Sequence, residues 1–203
     1  MILLADMLKK ADLEAEAGAL CLPFRKRFGL PAVEQLGLVV PDVAKAAARL
    51  EKLGIAPFFM AQGPVARWQE RGEDRRFCGK LGLTYHRGLE LELLEPGQGS
   101  DFYTKSLSAD GEVAVQHLGF LVDNVDAWEK KLTLSGSPAI VRGRIAAGPL
   151  RVEFAYMDTQ KDLGLIVEFI AFYFLGKRVK PLPALVRALG RLQKKSGRRC
   201  FRI

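Results

Sequence analysis

What the sequence lacks sets the first limits. None of its apolar runs approaches the roughly 18 to 20 residues that cross a bilayer as a helix, although 49% of the 203 residues are hydrophobic. They come in short stretches broken by Gly, Pro and charge, the pattern of a folded domain, and no integral membrane association is expected. Cysteine is scarce: Cys21, Cys78 and Cys200 are odd in number and form no CxxC pair. Neither a disulfide framework nor a zinc knuckle is indicated, and a reducing cytoplasm is the expected setting. No basic segment precedes the apolar opening MILLADMLKK, and Asp6, Lys9 and Lys10 interrupt it too early for a secretory signal. Glycine-rich phosphate loops, GxSxG elbows and Cys/His dyads are missing. Histidine is nearly absent, with His86 and His117 the only two.

Acid is missing from one whole segment. From Lys177 onward the chain holds ten basic residues and no Asp or Glu, which leaves 21 basic against 23 acidic residues in positions 1 to 176. The formal net charge of +8 therefore belongs to a tail, and the body is slightly acidic. A nucleic-acid-binding function for the whole chain loses its main support, and no nucleic-acid partner is expected.

What the chain does have is an internal repeat. The segment Glu34-Gln-Leu-Gly-Leu-Val-Val-Pro-Asp-Val-Ala recurs as Gln116-His-Leu-Gly-Phe-Leu-Val-Asp-Asn-Val-Asp, at an offset of 82. Gln35 then stands opposite His117, Gly37 opposite Gly119, and Gly54 opposite Gly136. Each copy reads as a short strand, an Asp or Asn able to cap a helix, and about three helical turns ending at glycine, over Ala44 to Leu53 and Asp126 to Ser135. A second pair matches at an offset of 76: Gly88-Leu-Glu-Leu-Glu-Leu-Leu and Gly164-Leu-Ile-Val-Glu-Phe-Ile, each with a Glu four residues after a Gly in a β-prone run. Strand-like stretches lie between, around Ala56 to Met60, Phe77 to Tyr85, Ala139 to Arg142 and Leu150 to Tyr156.

The expected fold is therefore α+β, two tandem βαβββ modules over 33–110 and 111–175. A helical extension (1–32) precedes them and a basic helical tail (176–203) follows. One module buries only one face of its curved sheet, so the two should close on each other as a shared cup, a half-open barrel. On the first strand of each copy Gln35 or His117 alternates with a glycine and shares its face. On the last strand Glu92 and Glu168 sit among apolar residues, where a buried carboxylate is costly unless paired or coordinated. Two carboxylates, an imidazole and an amide at quasi-equivalent positions give that cost an explanation. Glu90, two residues before Glu92 and on the same face, competes for the position; the glycine register selects Glu92 and leaves Glu90 as an acid close to the ligands or in the substrate channel.

With Gln35-Leu-Gly-Leu, His117-Leu-Gly-Phe, Glu92-Leu-Leu-Glu-Pro and Glu168-Phe-Ile in place, residues 33 to 172 resemble the vicinal oxygen chelate superfamily. That superfamily includes glyoxalase I, methylmalonyl-CoA epimerase, extradiol dioxygenases and bleomycin-resistance proteins. The resemblance implies a cup with metal ligands Gln35, Glu92, His117 and Glu168, the set of zinc-type glyoxalase I. Three oxygen donors and one imidazole suit Zn, Ni, Co or Mn with positions left for substrate oxygens. The ligand spacings of 57, 25 and 51 look like the epimerase branch, although that branch more often has His first and Gln second. An iron dioxygenase is disfavoured, because its triad needs two histidines and His86 falls outside the ligand positions. The implied activity is metal-assisted proton transfer beside a chelated carbonyl in a thioester or hemithioacetal, as a glyoxalase-like lyase or an epimerase. Glu168 would be the base, with Glu92 or Glu90 across from it. The alternative is a metal-free binding protein of the bleomycin-resistance type.

In the tail, Leu182, Leu185, Val186, Leu189 and Leu192 recur at spacings of three and four, an amphipathic helix whose stripe is expected to pack on the body or on a second subunit of a homodimer. Phosphate contacts to a coenzyme A ester or binding to an anionic surface are the sharper alternatives. Tyr103, Trp68 and Trp128 read as packing residues.

Overall fold

A computed structural model describes residues 2–55, 57–108 and 113–202. Three short helices open the chain, α1 Leu4–Leu8, α2 Leu13–Leu20 and α3 Leu22–Phe28. The first copy of the repeat follows as β1 Gln35–Val39, α4 Val43–Lys52, β2 Phe59–Pro64, a hairpin of β3 Arg67–Glu70 and β4 Glu73–Arg75, then β5 Cys78–His86 and β6 Leu89–Gln98. The second copy is β7 Ala114–Leu121, α5 Val125–Leu134, β8 Ala139–Ala147, β9 Leu150–Met157, a short α6 Gln160–Leu163 and β10 Ile166–Phe174. The tail gives β11 Lys177–Val179, α7 Pro183–Ser196 and β12 Phe201–Arg202. The expected strand start at Ala56 and the module boundary at 110/111 lie outside the described residues.

The repeated helices begin and end for the same local reasons. Asp42 and Asn124 each accept the backbone N–H three residues on, from Lys45 and Ala127, satisfying one of the orphan donors of α4 and α5. Gly54 and Gly136 follow the last turns at φ of 84° and 93°, values that a residue with a Cβ rarely takes.

All the described strands join one curled sheet, ordered β12-β2-β5-β6-β1-β7-β10-β9-β8-β3-β4, with β11 on β10. The modules meet at its centre, where β1 and β7 run antiparallel. Each is flanked by the last strand of its own module, β6 beside β1 and β10 beside β7, both parallel. Leu36, Leu38, Leu91, Leu93, Leu118, Phe120, Val167 and Phe169 fill the convex side under α4, α5 and the N-terminal helices. A second core, built on Trp68, Phe77, Phe102, Tyr103, Phe154 and Tyr156, occupies the concave side.

The sequence had not suggested the β3–β4 hairpin. It leaves β2, next to one edge of the sheet, after only Val65 and Ala66, and pairs with β8 near the other edge. The chain thus straps one side of the cup, and Trp68 on that strap is 2% exposed against Phe77 and Phe154.

The tail is also part of the sheet, since β12 adds to β2 and β11 to β10. Its helix does not dock through the whole leucine stripe: Leu182, Leu185 and Leu192 are 64, 54 and 56% exposed. The docked face is one position round, where Gly190 and Gln193 are buried. A Cβ at Gly190 would lie 2.9 Å from the Phe58 carbonyl, so glycine lets α7 approach backbone to backbone. Gln193 then completes the fit, accepting the Met60 N–H at 2.8 Å and donating to the Met60 carbonyl at 2.7 Å, as a neighbouring strand would. Glu51 ties the tail down further through Lys194 and Arg199. Among the described residues no helix is long and apolar enough to cross a membrane.

Candidate metal centre

Two rows of side chains cross the concave face where the modules meet. In the first, Glu92 on β6 neighbours Gly37 on β1, which faces His117 on β7, which neighbours Ile166 on β10. In the second, Glu90 neighbours Gln35, which faces Gly119, which neighbours Glu168. Each glycine thus lies beneath a polar side chain from the other module. A Cβ on Gly37 would stand 1.7 Å from Cε1 and 2.0 Å from Nε2 of His117, and one on Gly119 would stand 2.6 Å from Oε1 of Gln35. The ligand-x-glycine spacing of the repeat has a steric meaning: each first strand carries one polar donor and makes room for the other's.

The side chains converge. Nε2 of His117 lies 3.1 Å from Oε2 of Glu168 and 3.4 Å from Oε2 of Glu92, and one donor atom of each lies within 4.8 Å of the other two. His117 is fully buried and Glu168 nearly so. Yet Nε2 of His117 and Oε2 of Glu168 make no hydrogen bond, and neither does Oε1 of Gln35. A buried polar atom without a partner costs about 1 to 3 kcal/mol, so Nε2 of His117 and Oε2 of Glu168, side by side, need an occupant between them. Two carboxylate oxygens and an imidazole nitrogen facing each other need a positive charge among them. Donors held at about 2.0 to 2.2 Å from a zinc-like ion stand about 3 to 4 Å apart, and the observed separations fit that. Without an ion a proton takes the place: burial opposes charge on His117, but Glu168 and Glu92 beside it lift its pKa to about 9. Burial, with Glu168 adding to it, raises Glu92 above the usual carboxylate range.

Around these donors stand residues that aim them. Nδ1 of His117 lies 2.6 Å from Oε1 of Gln116, and Gln116 in turn donates from Nε2 to the Ser106 hydroxyl at 3.3 Å. Gln116 can accept only if Nδ1 carries the proton, which leaves the Nε2 lone pair free for a cation. Gln35 is oriented in the same way, donating from Nε2 to Oε1 of Glu90 at 2.6 Å so that its own oxygen turns away from that carboxylate. Glu90 has no partner by the repeat, since Ile166 occupies the equivalent place in the second module. Burial raises its pKa to about 7, against the opposing pull of Tyr85 and Gln35. Tyr156, register partner of Glu168, packs edge-on to the His117 ring at 5.0 Å and its hydroxyl lies 3.0 Å from that of Tyr103.

The structure thus brings Glu92, His117 and Glu168 together, with Gln35 and Glu90 in the adjoining row. His86 ends β5 opposite Leu89 and is not part of the cluster. Sequence reasoning passed over Gln116, Ser106 and Tyr156. Gln116 could have been found, as a polar residue directly before the histidine that stands opposite Gln35 in the repeat. Ser106 and Tyr156 carry no local signal, because only the curl of the sheet brings them in.

A family model described as the glyoxalase/bleomycin resistance protein/dioxygenase superfamily matches residues 34–156. No curated protein matches the chain. Among solved structures, a methylmalonyl-CoA epimerase from Streptomyces coelicolor in complex with 2-nitronate-propionyl-CoA is similar at 18% identity. That match covers 70% of this chain and 96% of the other, at a TM-score of 0.45. The methylmalonyl-CoA epimerase from Mycobacterium tuberculosis is similar at 17% identity, covering 75% and 89%, TM-score 0.43. A mutant 4-hydroxymandelate synthase from Streptomyces coelicolor is similar at 15% identity, covering 83% and 56%, TM-score 0.48.

Proposed function

The chain belongs to the glyoxalase/bleomycin resistance protein/dioxygenase superfamily, and on that premise we propose that it is a divalent-metal-dependent lyase or isomerase. Its reaction would move a proton at the carbon next to a chelated carbonyl. The observation that supports this reading most is that buried Nε2 of His117 and Oε2 of Glu168, 3.1 Å apart, lack hydrogen-bond partners, as does Oε1 of Gln35 in the adjoining row. With Glu92 they make a set of one nitrogen and three oxygens, suited to Zn, Ni, Co or Mn. A bound ion of this kind supplies Lewis acidity, making the proton on the neighbouring carbon more acidic.

The chain's own residues do the rest. Gln116 fixes the His117 tautomer, and the Gln35–Glu90 hydrogen bond fixes the amide. Glu90 is the buried acid left over from the donor set, held where a carboxyl can accept and return a proton near neutral pH. Glu168 closes the other end of the same row, so acids flank the site from both modules. If the proton returns to its own carbon from the far side the protein is an epimerase; if it returns one carbon away, a glyoxalase-like lyase. The apolar walls of the adjoining cavity favour a second reading, a binding protein that needs no metal.

One experiment separates these. Zn, Ni, Co and Mn are titrated into purified protein, and deuterium wash-in beside the carbonyl is followed for a 2-hydroxy ketone, a methylmalonyl-type thioester and a glutathione hemithioacetal. Metal uptake with a gain in melting temperature, and exchange in at least one compound, is the expected result. No metal bound, no stabilisation and no exchange would overturn the proposal in favour of the binding protein.

A further inference from the structure

The cavity beside the donor cluster has a volume of about 190 Å³ and is lined from both modules. One end is polar, with Gln35, Glu90, Glu92 and Glu168. The rest is aliphatic and aromatic: Leu81 and Leu83 on β5, Ile145 on β8, Val152 on β9, Ile170 and Phe172 on β10.

Its one lining cation among the described residues is Lys80. That ammonium is already paired with Glu95 at 3.3 Å, and Glu95 also accepts the Val43 N–H at 2.8 Å as part of the fold. No uncommitted positive charge therefore lines the wall to receive a phosphate or a carboxylate.

None of the residues of the basic tail helix lines the cavity. α7 docks on Phe58 and Met60, whereas Phe59 and Ala61 line the cavity.

We infer that the substrate is an uncharged, lipophilic molecule carrying two adjacent oxygens at one end, of the 2-hydroxy ketone class. Its oxygens face the donor cluster and its hydrocarbon part lies against Leu83, Val152 and Ile170. Coenzyme A esters and glutathione adducts, whose bulk is charged, are disfavoured. This rests on the metal-centre reading for the oxygen end and on the cavity wall for the hydrocarbon end, and the two can fail separately.

The test uses the full chain loaded with zinc. Binding is measured by calorimetry for straight-chain hydroxamates, which present two adjacent oxygens, and for the matching primary amides, which present one. Burying a methylene is worth about 0.8 kcal/mol, so affinity should rise about fourfold per added carbon in both series until the cavity is full. The hydroxamates should bind more tightly than the amides at every length. A slope without a head-group preference would leave the lipophilic substrate standing and remove the metal-centre reading. A head-group preference with no slope, or coenzyme A and S-alkylglutathione binding more tightly than the hydroxamates and weakening with salt, would overturn the lipophilic substrate.

Discussion

Replacing Gly37 by alanine should expel an imidazole from across the sheet. The new methyl would lie 1.7 to 2.1 Å from three ring atoms of His117, where carbon contacts normally need about 3.5 to 4.0 Å. The ring cannot slide aside, being fully buried, held at Nδ1 by Gln116 and packed edge-on to Tyr156. Overpacking of this kind costs about 1 to 3 kcal/mol of stability. Displacing a proposed ligand should weaken zinc binding at least 10 to 100-fold, about 1.4 to 3 kcal/mol, the range typical of residues that merely orient ligands. Gly37 has no positive φ, so alanine brings no backbone strain and the whole effect is steric. The double-mutant cycle isolates it: with His117→Ala already made, Gly37→Ala has nothing to strike and should be close to neutral. Chemical denaturation gives the stability arm and zinc calorimetry the affinity arm. Gly119→Ala should follow the same logic more mildly, because it meets the end of a flexible Gln35. Gly37→Ala with unchanged stability and zinc affinity, or an equal cost with and without the imidazole, would refute the reasoning.

Because His117 carries its proton up to a pKa of about 9, zinc must displace it, and apparent affinity should climb about tenfold per pH unit below 9 for that one proton and level off above; calorimetry in two buffers of different ionisation heat counts the protons released. For the metal-free protein the sign is opposite: a pKa raised from 6.5 to about 9 gives stability fully present below pH 6.5 and lost as pH rises through 9, a slope that His117→Ala should flatten in thermal melts. Gln116→Ala should lower zinc affinity about 10 to 100-fold while leaving the far-UV spectrum unchanged. Gln193→Ala strands the N–H and carbonyl of Met60 and should cost about 2 kcal/mol or more by denaturation, whereas Leu182, Leu185 and Leu192 changed to serine should each move stability by less than about 0.5 kcal/mol.

The duplication was legible because it repeats at the level of chemistry as well as hydrophobicity. A glycine two residues after Gln35 and after His117 fixed which face each strand turns inward, and the Gly88 and Gly164 offsets chose Glu92 over Glu90 as the counterpart of Glu168, each beside the glycine of its own module's first strand. The steric reason for those glycines was not legible, since the atoms they avoid belong to a strand about 80 residues away. The β3–β4 hairpin was hidden for a similar reason: its polar, charged sequence pairs with β8, and no local periodicity announces a partner so distant. For α7 the leucine spacing named an amphipathic helix but not the face that meets its own chain, where a small residue and an amide that can mimic a strand dock in place of the leucines.

The seam between β1 and β7 has a bearing on how the protein is made. A nascent chain that has completed only the first module offers Gln35 and Glu92, two oxygen donors with no imidazole, and its β1 still lacks the neighbour whose His117 and Gly119 complete both rows. Closing that pairing joins positions 82 residues apart, and the entropy of such a loop must be met by the leucine-rich convex core rather than by coordination. An ion would then enter a finished cup instead of nucleating one, so occupancy would report a folded molecule, and chelators should empty the site without unravelling the chain.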